Sequence, residues 1–300
     1  MAVKTVAVMA QGEMGSGTGG QLVRNGLRVI TNLEGRSERS RGLAKDAGIE
    51  DVGNDRALIE QADVFLSILP PRDAMALANR MAPHITQIGK PILYADCNAL
   101  SPATKKEVQA VIAPTGARFV DVGIFGDPPS PQKNPTRYYA SGPDAAELTA
   151  ELAAHGLTIF DFGTEIGRAA ALKMCFASMT KTMVAVAAET FIAAKALGVY
   201  DDVVKEFNTG HKVGFDWAAE RVCKTPPKAY RWVEEVEEIG KTMETIGLPG
   251  ASHRGGAEMF RIIAASPLGN ETVENRTMGT ELDECAAIAA EYVKQKLGGG

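Results

Sequence analysis

The feature that most constrains the fold is a glycine-rich segment that directly follows an apolar run near the N-terminus. Residues 3–9 predict a buried strand, and Ala10-x-Gly12-x-x-Gly15 then matches the dinucleotide-binding fingerprint with alanine in its first position. The missing Cβ lets a pyrophosphate approach Gly12 and lets the following helix pack on the strand at Gly15. An ordinary tight turn is the alternative, but the position between a strand and a helical pattern favours phosphate binding at a helix N-terminus. The residues expected to contact the dinucleotide here are Ala10, Gln11, Gly12, Glu13, Met14 and Gly15.

The segment after the second predicted strand, residues 27–31, bears on which dinucleotide binds. Glu34 lies about 20 residues after the glycine segment, as does the carboxylate that binds the ribose 2′-hydroxyl of NAD. Residues 36–41, however, contain three arginines and two serines, which suit the 2′-phosphate of NADP. A solvated surface loop is the alternative interpretation; we expect NADP, with NAD as the second choice. The further residues expected to contact the cofactor are Glu34, Arg36, Ser37, Arg39, Leu69, Pro70 and Asn98.

Composition excludes several classes of protein. The chain has 300 residues, of which 45% are hydrophobic, and a net charge of −5, which fits two globular domains and argues against a nucleic-acid partner. Four cysteines and four histidines form no C-x-x-C pair and no ligand cluster, so we expect no metal, no disulfide and a cytoplasmic location. Lys173, Lys181 and Glu189 interrupt the most apolar stretch, so we expect no membrane span.

The pattern of secondary structure changes near residue 165. The strand-like runs before this point that end at turn residues are 64–69, 92–95 and 119–122. After it, strand patterns cease and residues 168–198 predict one long helix that ends at Gly198, followed by shorter helices. We therefore predict an α/β fold in which a Rossmann domain with a doubly wound parallel sheet (residues 1–165) precedes an all-helical domain (residues 166–300) built around the long helix.

Four segments in order resemble those of β-hydroxyacid dehydrogenases, the group that includes 3-hydroxyisobutyrate and 6-phosphogluconate dehydrogenases and, more remotely, imine reductases. Residues 10–17 correspond to the cofactor loop, and 96–102 (DCNALSP) to the D-x-S-T-x-x-P segment. Residues 124–127 correspond to the V-S-G-G substrate loop, and 165–173 to the G-x-G-x-x-x-K segment that opens the interdomain helix. The resemblance spans nearly the whole chain and is greatest to a branch with a divergent C-terminal domain. It implies an NAD(P)-dependent oxidoreductase that acts on CH–OH or C=O groups.

Lys173 is the residue that we expect to be catalytic. Its neighbours from Ala169 to Phe176 are almost all apolar, so we expect this stretch to be buried, and burial can bring a lysine pKa into a useful range. The resemblance implies that this lysine assists proton transfer at the hydroxyl while hydride moves to or from the nicotinamide. The alternative is a lysine that covers apolar surface and ends in water. Lys181, on roughly the same helix face, is the reserve candidate.

The chain departs from the family where the family binds a small carboxylate. Asn98 replaces the serine of D-x-S-T, Phe125 replaces the serine of V-S-G-G, and Ala177 replaces an asparagine four residues beyond the lysine. Each hydrogen bond lost to a buried carboxylate costs roughly 1.5–3 kcal/mol. The substrate is therefore expected to be a larger, partly apolar alcohol or carbonyl compound rather than a plain small 3-hydroxy acid. The residues expected to contact it in these segments are Asn98, Ile124, Phe125, Gly126 and Ala177.

The helical domain is expected to complete the substrate pocket. Arg231 and Trp232 occupy the place where relatives carry a lysine–aspartate pair, and they offer an anion-binding guanidinium and a flat apolar wall. An amphipathic surface helix is an equally good interpretation. His253 and Arg254, in a predicted loop after Pro249-Gly250, are secondary candidates for this pocket, and His211 ranks after them.

Two further hypotheses about function stay open at this stage. Imine reduction would suit the missing carboxylate anchors, although relatives with that activity commonly carry another proton donor in place of the lysine. A dinucleotide-binding protein without catalysis is also compatible with the fold. The long apolar helix, residues 169–196, predicts a homodimer, because a helix that is apolar all round must be enclosed on every side.

Overall fold

The computed structural model describes residues 3–133 and 136–298. Within this part of the chain there is one eight-stranded sheet. Its strands are β1 (Thr5–Met9), β2 (Arg28–Thr31), β3 (Glu50–Asp51), β4 (Val64–Ser67), β5 (Leu93–Asp96), β6 (Arg118–Phe125), β7 (Arg137–Ser141) and β8 (Ile159–Asp161). Their order across the sheet is β3-β2-β1-β4-β5-β6-β7-β8.

Six helices alternate with these strands, and six more follow in the described part of the chain. The first six are α1 (Glu13–Arg24), α2 (Glu38–Asp46), α3 (Asp55–Gln61), α4 (Pro71–Ile88), α5 (Pro102–Ile112) and α6 (Ala145–Ala153). The last six are α7 (Arg168–Ala196), α8 (Tyr200–Gly210), α9 (Lys212–Lys224), α10 (Ala229–Thr245), α11 (Ala251–Ala265) and α12 (Leu282–Gly298).

Strands β1 to β6 all run parallel to one another, as in a doubly wound sheet. All residues of β1, β4 and β5 are buried, which explains their continuous apolar sequence. Alternate residues of β1 enter two separate apolar clusters, because successive strand side chains point to opposite faces. Helices α1, α2 and α6 contribute to one cluster and α3, α4 and α5 to the other. The predicted Rossmann architecture is confirmed.

The sequence pattern does not predict β7 and β8. Strand β7 pairs antiparallel with β6, from Asp121 opposite Ser141 to Phe125 opposite Arg137, and β8 pairs parallel with β7. Both strands are short and contain charged or polar residues, so no continuous apolar run marks them.

Helix α7 has 29 residues and ends close to its predicted end at Gly198. Its most apolar 18-residue window has a mean hydropathy of 1.2 and is 39% buried, so by length and composition alone α7 could cross a membrane. No other helix of the described chain meets that criterion. The core helix of a soluble protein meets the same criterion, so it does not decide between a membrane span and a core helix.

The chain divides into two compact units within α7. The N-terminal unit ends at Met174 and the C-terminal unit begins at Cys175, whereas the sequence pattern places the boundary between residues 165 and 166. The first turns of α7 belong with the sheet because they lie against β6. A Cβ on Gly123 would lie only 3.0 Å from the carbonyl oxygen of Ala169.

In the C-terminal unit, α10 and α11 pack on each other and on α7. The side chains of Val236, Ile239 and Phe260 are buried there. A Cβ on Gly256 of α11 would lie 3.3 Å from the Cβ of Ala185, so glycine lets this helix approach α7 closely.

Candidate functional site

Several strands of the sheet end in one row. Met9 of β1 pairs with Ser67 of β4, which pairs with Asp96 of β5, and each of these residues is the last of its strand. Asp121 of β6 is next in this row, but β6 continues to Phe125. At about 3.3 Å per residue, Phe125 lies roughly 13 Å beyond the row. Because ligands of open parallel sheets bind at the carboxyl ends of the strands, this strand-end row locates the candidate site.

The glycine-rich loop connects β1 to α1 at this row. Gly12 is the N-cap of α1 and supplies no side-chain hydrogen bond, so the first amides of the helix have no side-chain cap. A Cβ on Gly12 would meet nothing within 4 Å, whereas one on Gly15 would collide with the carbonyl oxygen of Ala10. The loop therefore packs tightly on its strand side at Gly15 and stays open at Gly12. Uncapped amides beside open space fit a bound pyrophosphate.

Gln11 lies inside this loop and is almost fully buried. Its Nε2 donates to the carbonyl oxygen of Val8 at 2.9 Å. Its Oε1 is buried and has no hydrogen-bond partner among the residues that the structure describes. The side chain therefore supports the loop from below, and its expected contact with the dinucleotide stays a prediction, as do those of Glu13 and Met14.

The end of β2 carries no carboxylate. Asn32 stands there, its amide nitrogen donating to Asp55 at 2.7 Å and its amide oxygen accepting from the backbone N–H of Glu34 at 2.9 Å. The Glu34 side chain lies further along and is exposed. The residue directly after β2 is thus an amide that is engaged within the protein, and Glu34, which has the spacing of an NAD-binding acid, is exposed.

Cationic and hydroxyl groups lie beside the glycine-rich loop instead. The guanidinium of Arg39 lies 3.8 Å from the carboxylate of Glu13, in the first turn of α1. The hydroxyl of Ser37 accepts from the backbone N–H of Ser40 at 3.3 Å and so caps α2. Arg36 is half-buried. This segment places positive charge next to the first turn of α1.

Asn98 fastens two strand ends together. Its amide nitrogen donates to Ser67 at 2.9 Å and to Asp96 at 3.1 Å, and its amide oxygen accepts from the backbone N–H of Leu69 at 2.6 Å. The residue is 3% exposed. Both amide hydrogens are used within the protein, so Asn98 shapes the turn at Leu69 and Pro70 that leads into α4. Its predicted contacts with cofactor and substrate stay predictions.

A fully buried lysine that the sequence analysis did not single out lies under the strand-end row. Lys105 of α5 donates to Asp96 at 2.6 Å, and its Nζ lies 3.3 Å from Asp121, with all three side chains fully buried. Burial alone would lower the pKa of Lys105, but the carboxylates of Asp96 and Asp121 raise it above its ordinary value. The lysine is therefore a buried cation that lies within reach of two buried acids.

Asp121 also fixes the start of α7. Its Oδ2 accepts from the backbone N–H groups of Gly167 and Ala170 at 3.1 and 3.0 Å, and from the hydroxyl of Ser141 at 3.1 Å. A carboxylate suits this place, because it complements the dipole and the otherwise unbonded amides of a helix N-terminus. The beginning of α7 is thereby attached to the middle of β6.

Lys173 reaches the tip of β6. Its Nζ donates to the carbonyl oxygen of Ile124 at 2.7 Å and lies 5.0 Å from the ring centre of Phe125. The ring of Phe125 is 4% exposed and meets Tyr139 edge-on, with centres 5.2 Å apart. The predicted catalytic lysine and two predicted substrate residues, Ile124 and Phe125, are thus brought together beyond the strand-end row. Gly126 follows them with a φ of +94°, a conformation that favours glycine.

The surroundings of Lys173 are less buried than the sequence predicts. Ala169, Ala170 and Met174 are buried, but Cys175 is exposed and Phe176 is 49% exposed. Within one chain this stretch of α7 is therefore only partly enclosed, and its enclosure by a second copy stays a prediction. Ala177 is buried but offers no polar side-chain atom.

The residues predicted in the C-terminal unit form a separate cluster. The ammonium of Lys181 pairs with Glu235 and lies 5.0 Å from the ring centre of Trp232. Trp232 meets the ring of Phe260 edge-on, with centres 5.4 Å apart. Lys181 therefore has a carboxylate partner and an aromatic neighbour within its own unit. Arg231 is half-buried, and its predicted contact with substrate stays a prediction.

His253, a secondary pocket candidate that the sequence places in a loop, lies instead within α11 and has defined neighbours. Its Nε2 lies 2.8 Å from the hydroxyl oxygen of Ser178, and its Nδ1 lies 3.4 Å from that of Ser252. Burial lowers the pKa of His253 below its ordinary value of 6.5. No sequence signal links residues 178 and 253, because only the packing of α11 on α7 brings them together.

Two family matches cover the two parts of the chain. Residues 5–146 match the NAD binding domain of 6-phosphogluconate dehydrogenase, which makes the N-terminal unit a domain for a nicotinamide dinucleotide. Residues 194–263 match a domain of unknown function, DUF1932. These two matches agree with the resemblance of the motifs to a divergent branch of the β-hydroxyacid dehydrogenases.

Individual relatives agree with this placement. A 28.5 kDa protein of Methanothermus fervidus, described as uncharacterised and encoded in the 7S RNA 5′ region, is 29% identical over 227 residues, which cover 75% of this chain and 86% of that protein. A conserved protein of unknown function, reported to resemble 3-hydroxyacid dehydrogenases, is 28% identical with a TM-score of 0.62, covering 87% of this chain and 96% of that one. The 3-hydroxyisobutyrate dehydrogenase of Mycobacterium tuberculosis has the same fold, with a TM-score of 0.66 at 17% identity, covering 98% of this chain and 100% of that one.

Proposed function

We propose that the protein is an NADP(H)-dependent oxidoreductase that transfers hydride between the nicotinamide and an alcohol or carbonyl carbon, with Lys173 as the proton-transfer group. The observation that carries the proposal is the bond from Lys173 Nζ to the carbonyl oxygen of Ile124. It holds an ammonium beyond the strand-end row, on the side of the sheet where the glycine-rich loop also lies. A dinucleotide bound at that loop and a proton donor held at the same edge are the two requirements of such a reaction.

The residues that would hold the dinucleotide are those of the glycine-rich loop and the first turn of α1. The uncapped amides after Gly12 would bind the pyrophosphate, and the collision that a Cβ on Gly15 would cause keeps the loop in its tight form. When bound, the nicotinamide accepts or donates the hydride. The turn at Leu69 and Pro70, held by Asn98, would lie along the same edge.

Lys173 would donate or accept the proton at the substrate oxygen. Its ammonium is held in place by the Ile124 carbonyl oxygen and the Phe125 ring. Both contacts come from β6, so the position of the donor is set by the sheet rather than by a surface loop. The predicted gain from such positioned acid–base catalysis is roughly 10²–10⁴-fold in rate.

The preference for NADP over NAD rests on the segment after β2. The residue directly after β2 is an amide, Asn32, that is engaged with Asp55, Glu34 is exposed, and the guanidinium of Arg39 lies near α1. Arg36 lies in the same segment. Ser37 is engaged as a helix cap, so in this proposal the two arginines carry the preference.

The substrate class follows from the polar groups that the pocket does not offer. The buried ring of Phe125 stands where relatives place a serine, and buried Ala177 stands where they place an asparagine. A partly apolar alcohol or carbonyl compound suits these surroundings better than a small hydroxy acid does. The experiment is a screen of alcohols, hydroxy acids, aldehydes, ketones and cyclic imines with NADP(H), followed by nicotinamide absorbance. Turnover of imines alone would replace carbonyl chemistry by imine reduction, and no turnover of any class would reject the proposal.

We also propose that the protein is a homodimer. Large apolar side chains of the C-terminal unit are exposed, among them Phe176, Val213, Ile246 and Leu248. Extended exposed apolar surface of this kind marks an interface. One chain has a mass of 31.8 kDa. Multi-angle light scattering at micromolar concentration should give twice that mass, and a monomer would contradict the proposal.

A further inference from the structure

Four buried polar residues lie in one line across the middle of the sheet. The strand register places Ser67 of β4 beside Asp96 of β5. It places Asp121 of β6 beside Asp96 and, on the other side, beside Ser141 of β7. All four residues are fully buried, and directly paired residues of neighbouring strands share one face of the sheet. Together they form a polar ladder, whose ends lie roughly 14 Å apart at about 4.8 Å per strand.

Lys105 of α5 lies against the middle of this ladder. Its Nζ donates to the carboxylate of Asp96 at 2.6 Å and lies 3.3 Å from the carboxylate of Asp121. One ammonium beside two carboxylates leaves a net negative charge. The N-terminus of α7 meets Asp121 and supplies partial positive charge, roughly half an elementary charge. The start of α7 therefore contributes to the charge balance of the ladder.

The half of the ladder at Ser67 and Asp96 supports the turn on the cofactor side. The amide nitrogen of Asn98 donates to both of these side chains, at 2.9 and 3.1 Å. The amide oxygen of Asn98 accepts from the backbone N–H of Leu69 at 2.6 Å. Leu69 and Pro70 form the turn that the proposed function places along the edge of the bound dinucleotide. A shift of Asp96 would therefore move this turn through Asn98.

The half of the ladder at Asp121 and Ser141 supports the first turn of α7. The carboxylate of Asp121 accepts from the backbone N–H of Ala170 at 3.0 Å. The hydroxyl of Ser141 accepts from the backbone N–H of Ala169 at 3.0 Å and donates to Asp121 at 3.1 Å. Lys173 follows about one helical turn later. These bonds therefore set the place on β6 from which the side chain of Lys173 extends.

We propose, on the basis of the proposed function, that the polar ladder and Lys105 position the two halves of the reaction site against each other. One end of the ladder holds the cofactor-side turn, and the other end holds the helical turn that leads to Lys173. Lys105 joins the halves because it contacts both carboxylates. Lys105 is fully buried, so it acts through these groups and is a positioning residue.

Three equally buried serines give a matched set of alanine variants. Ser67 and Ser141 are the ends of the ladder, and Ser266 of the C-terminal unit donates to a backbone carbonyl oxygen at 2.7 Å. Hydrogen exchange at Leu69, followed by mass spectrometry, reports on the cofactor-side turn. The rate at which N-hydroxysuccinimide acetate acetylates Lys173 reports on the other half. Neither measurement needs a substrate.

Each end of the ladder should affect its own half. We expect Ser67→Ala to speed exchange at Leu69 about threefold to tenfold, the effect of one hydrogen bond, and to leave acetylation of Lys173 within twofold. Ser141→Ala should speed acetylation of Lys173 by the same factor and leave exchange at Leu69 within twofold. Ser266→Ala should change neither rate. Unchanged acetylation in Ser141→Ala, or an equal change in Ser266→Ala, would overturn the proposal.

The double variant Ser67→Ala/Ser141→Ala tests the link between the halves. Two sites this far apart that share no network would shift the urea midpoint by the sum of the single shifts. Because Lys105 joins them, we expect a combined shift smaller than that sum. In a chain that carries Lys105→Met the two shifts should add, since the link is gone. Additive shifts in the original chain would overturn the link.

Turnover gives a readout that a purely structural role would not change. On a substrate from the screen, Ser141→Ala should lower kcat about threefold to tenfold with KM within twofold. Ser266→Ala should keep both constants although its urea midpoint falls. A normal kcat in Ser141→Ala would overturn the positioning role. No turnover by the original chain would reject the proposed function instead, and the exchange and acetylation rates would still decide on the ladder.

Discussion

The strand-end row of the N-terminal unit and an apolar cleft of the C-terminal unit are built by opposite means. At the row, backbone amides and strand termini make the surface, and the buried side chains of Lys105, Asp96 and Asp121 are paired beneath it. In the cleft, side chains of α7, α8, α9 and α11 make the surface, and among the described residues no aspartate, glutamate, lysine or arginine lines it. The difference shows that one chain keeps buried ion pairs and an apolar surface in separate units.

The largest expected effect tests whether Lys173, beyond the strand-end row, transfers the proton. Lys173→Ala should lower turnover by roughly 10²–10⁴, the range for general acid–base catalysis, while NADP affinity and melting temperature change little. Lys173→Arg should be almost as slow, because a guanidinium does not release its proton near neutral pH. Steady-state kinetics on a substrate found by the screen measure both variants.

The outcome of these two variants separates three cases. Near-normal turnover in Lys173→Arg would mean that the residue only supplies positive charge to orient the substrate. Near-normal turnover in Lys173→Ala would move the reacting group elsewhere, and Lys181→Ala would be measured next. Chemistry would then belong to the C-terminal unit, which would reverse the comparison.

The next effect concerns the buried ions. Lys105→Met leaves two buried carboxylates without their cation and should lower the free energy of unfolding by about 3–5 kcal/mol. Lys106→Met, at the exposed neighbouring position on α5, should change it by less than about 0.5 kcal/mol. Urea denaturation followed by circular dichroism measures both. Equal stability of the two variants would show that the ions under the row are not essential to the fold.

A smaller effect tests the segment after β2. NADP(H) should bind at least tenfold more tightly than NAD(H), a difference of about 1.4 kcal/mol, and Arg36→Ala with Arg39→Ala should remove most of that preference. Arg56→Ala, an exposed arginine of the same unit that pairs with Glu60, should keep it. Titration by intrinsic fluorescence decides. Tighter NAD binding, through Glu34, would contradict the assignment.

The smallest effect tests whether His253, which lines the cleft, is held uncharged in the folded chain. Because burial lowers the pKa of His253 below 6.5, the unfolded chain binds a proton that the folded chain resists. Stability should therefore fall as the pH drops through about 6.5, and stop falling from this cause below the folded pKa. Urea midpoints at pH 7.5 and 5.5 should differ less in His253→Gln than in the original chain. His211→Gln, at an exposed histidine of the same unit, is the control, and an equal change in both variants would show that His253 does not carry the effect.

The sequence predicts what depends on local backbone rules. The glycine-rich loop, the buried parallel strands and the long helix each have a pattern that a short stretch of sequence displays. Strands β7 and β8 lack such a pattern because their stability comes from pairing with β6 and with each other. Lys105 and Lys106 are adjacent and identical in type, and only the fold decides which of them is buried.

The candidate site could be predicted only where a sequence motif marks its residues. The resemblance led to Lys173 and the residues at the tip of β6, because a motif ties them together in the sequence. It did not indicate Asp121 as the anchor of α7 or His253 as a neighbour of Ser178, since these contacts join residues 46 to 75 positions apart. Long-range contacts between polar residues have no periodic signal in a single sequence.

Strand β6 contacts α7 at two separate positions along the strand. Asp121 receives the first amides of the helix, and three residues further along the strand the Ile124 carbonyl receives the ammonium of Lys173. The start of the helix and the side chain of Lys173 are thus both attached to the same strand, at two points. Both contacts lie in the N-terminal unit, which ends at Met174, so the position of the Lys173 nitrogen relative to β6 is set before α7 enters the C-terminal unit.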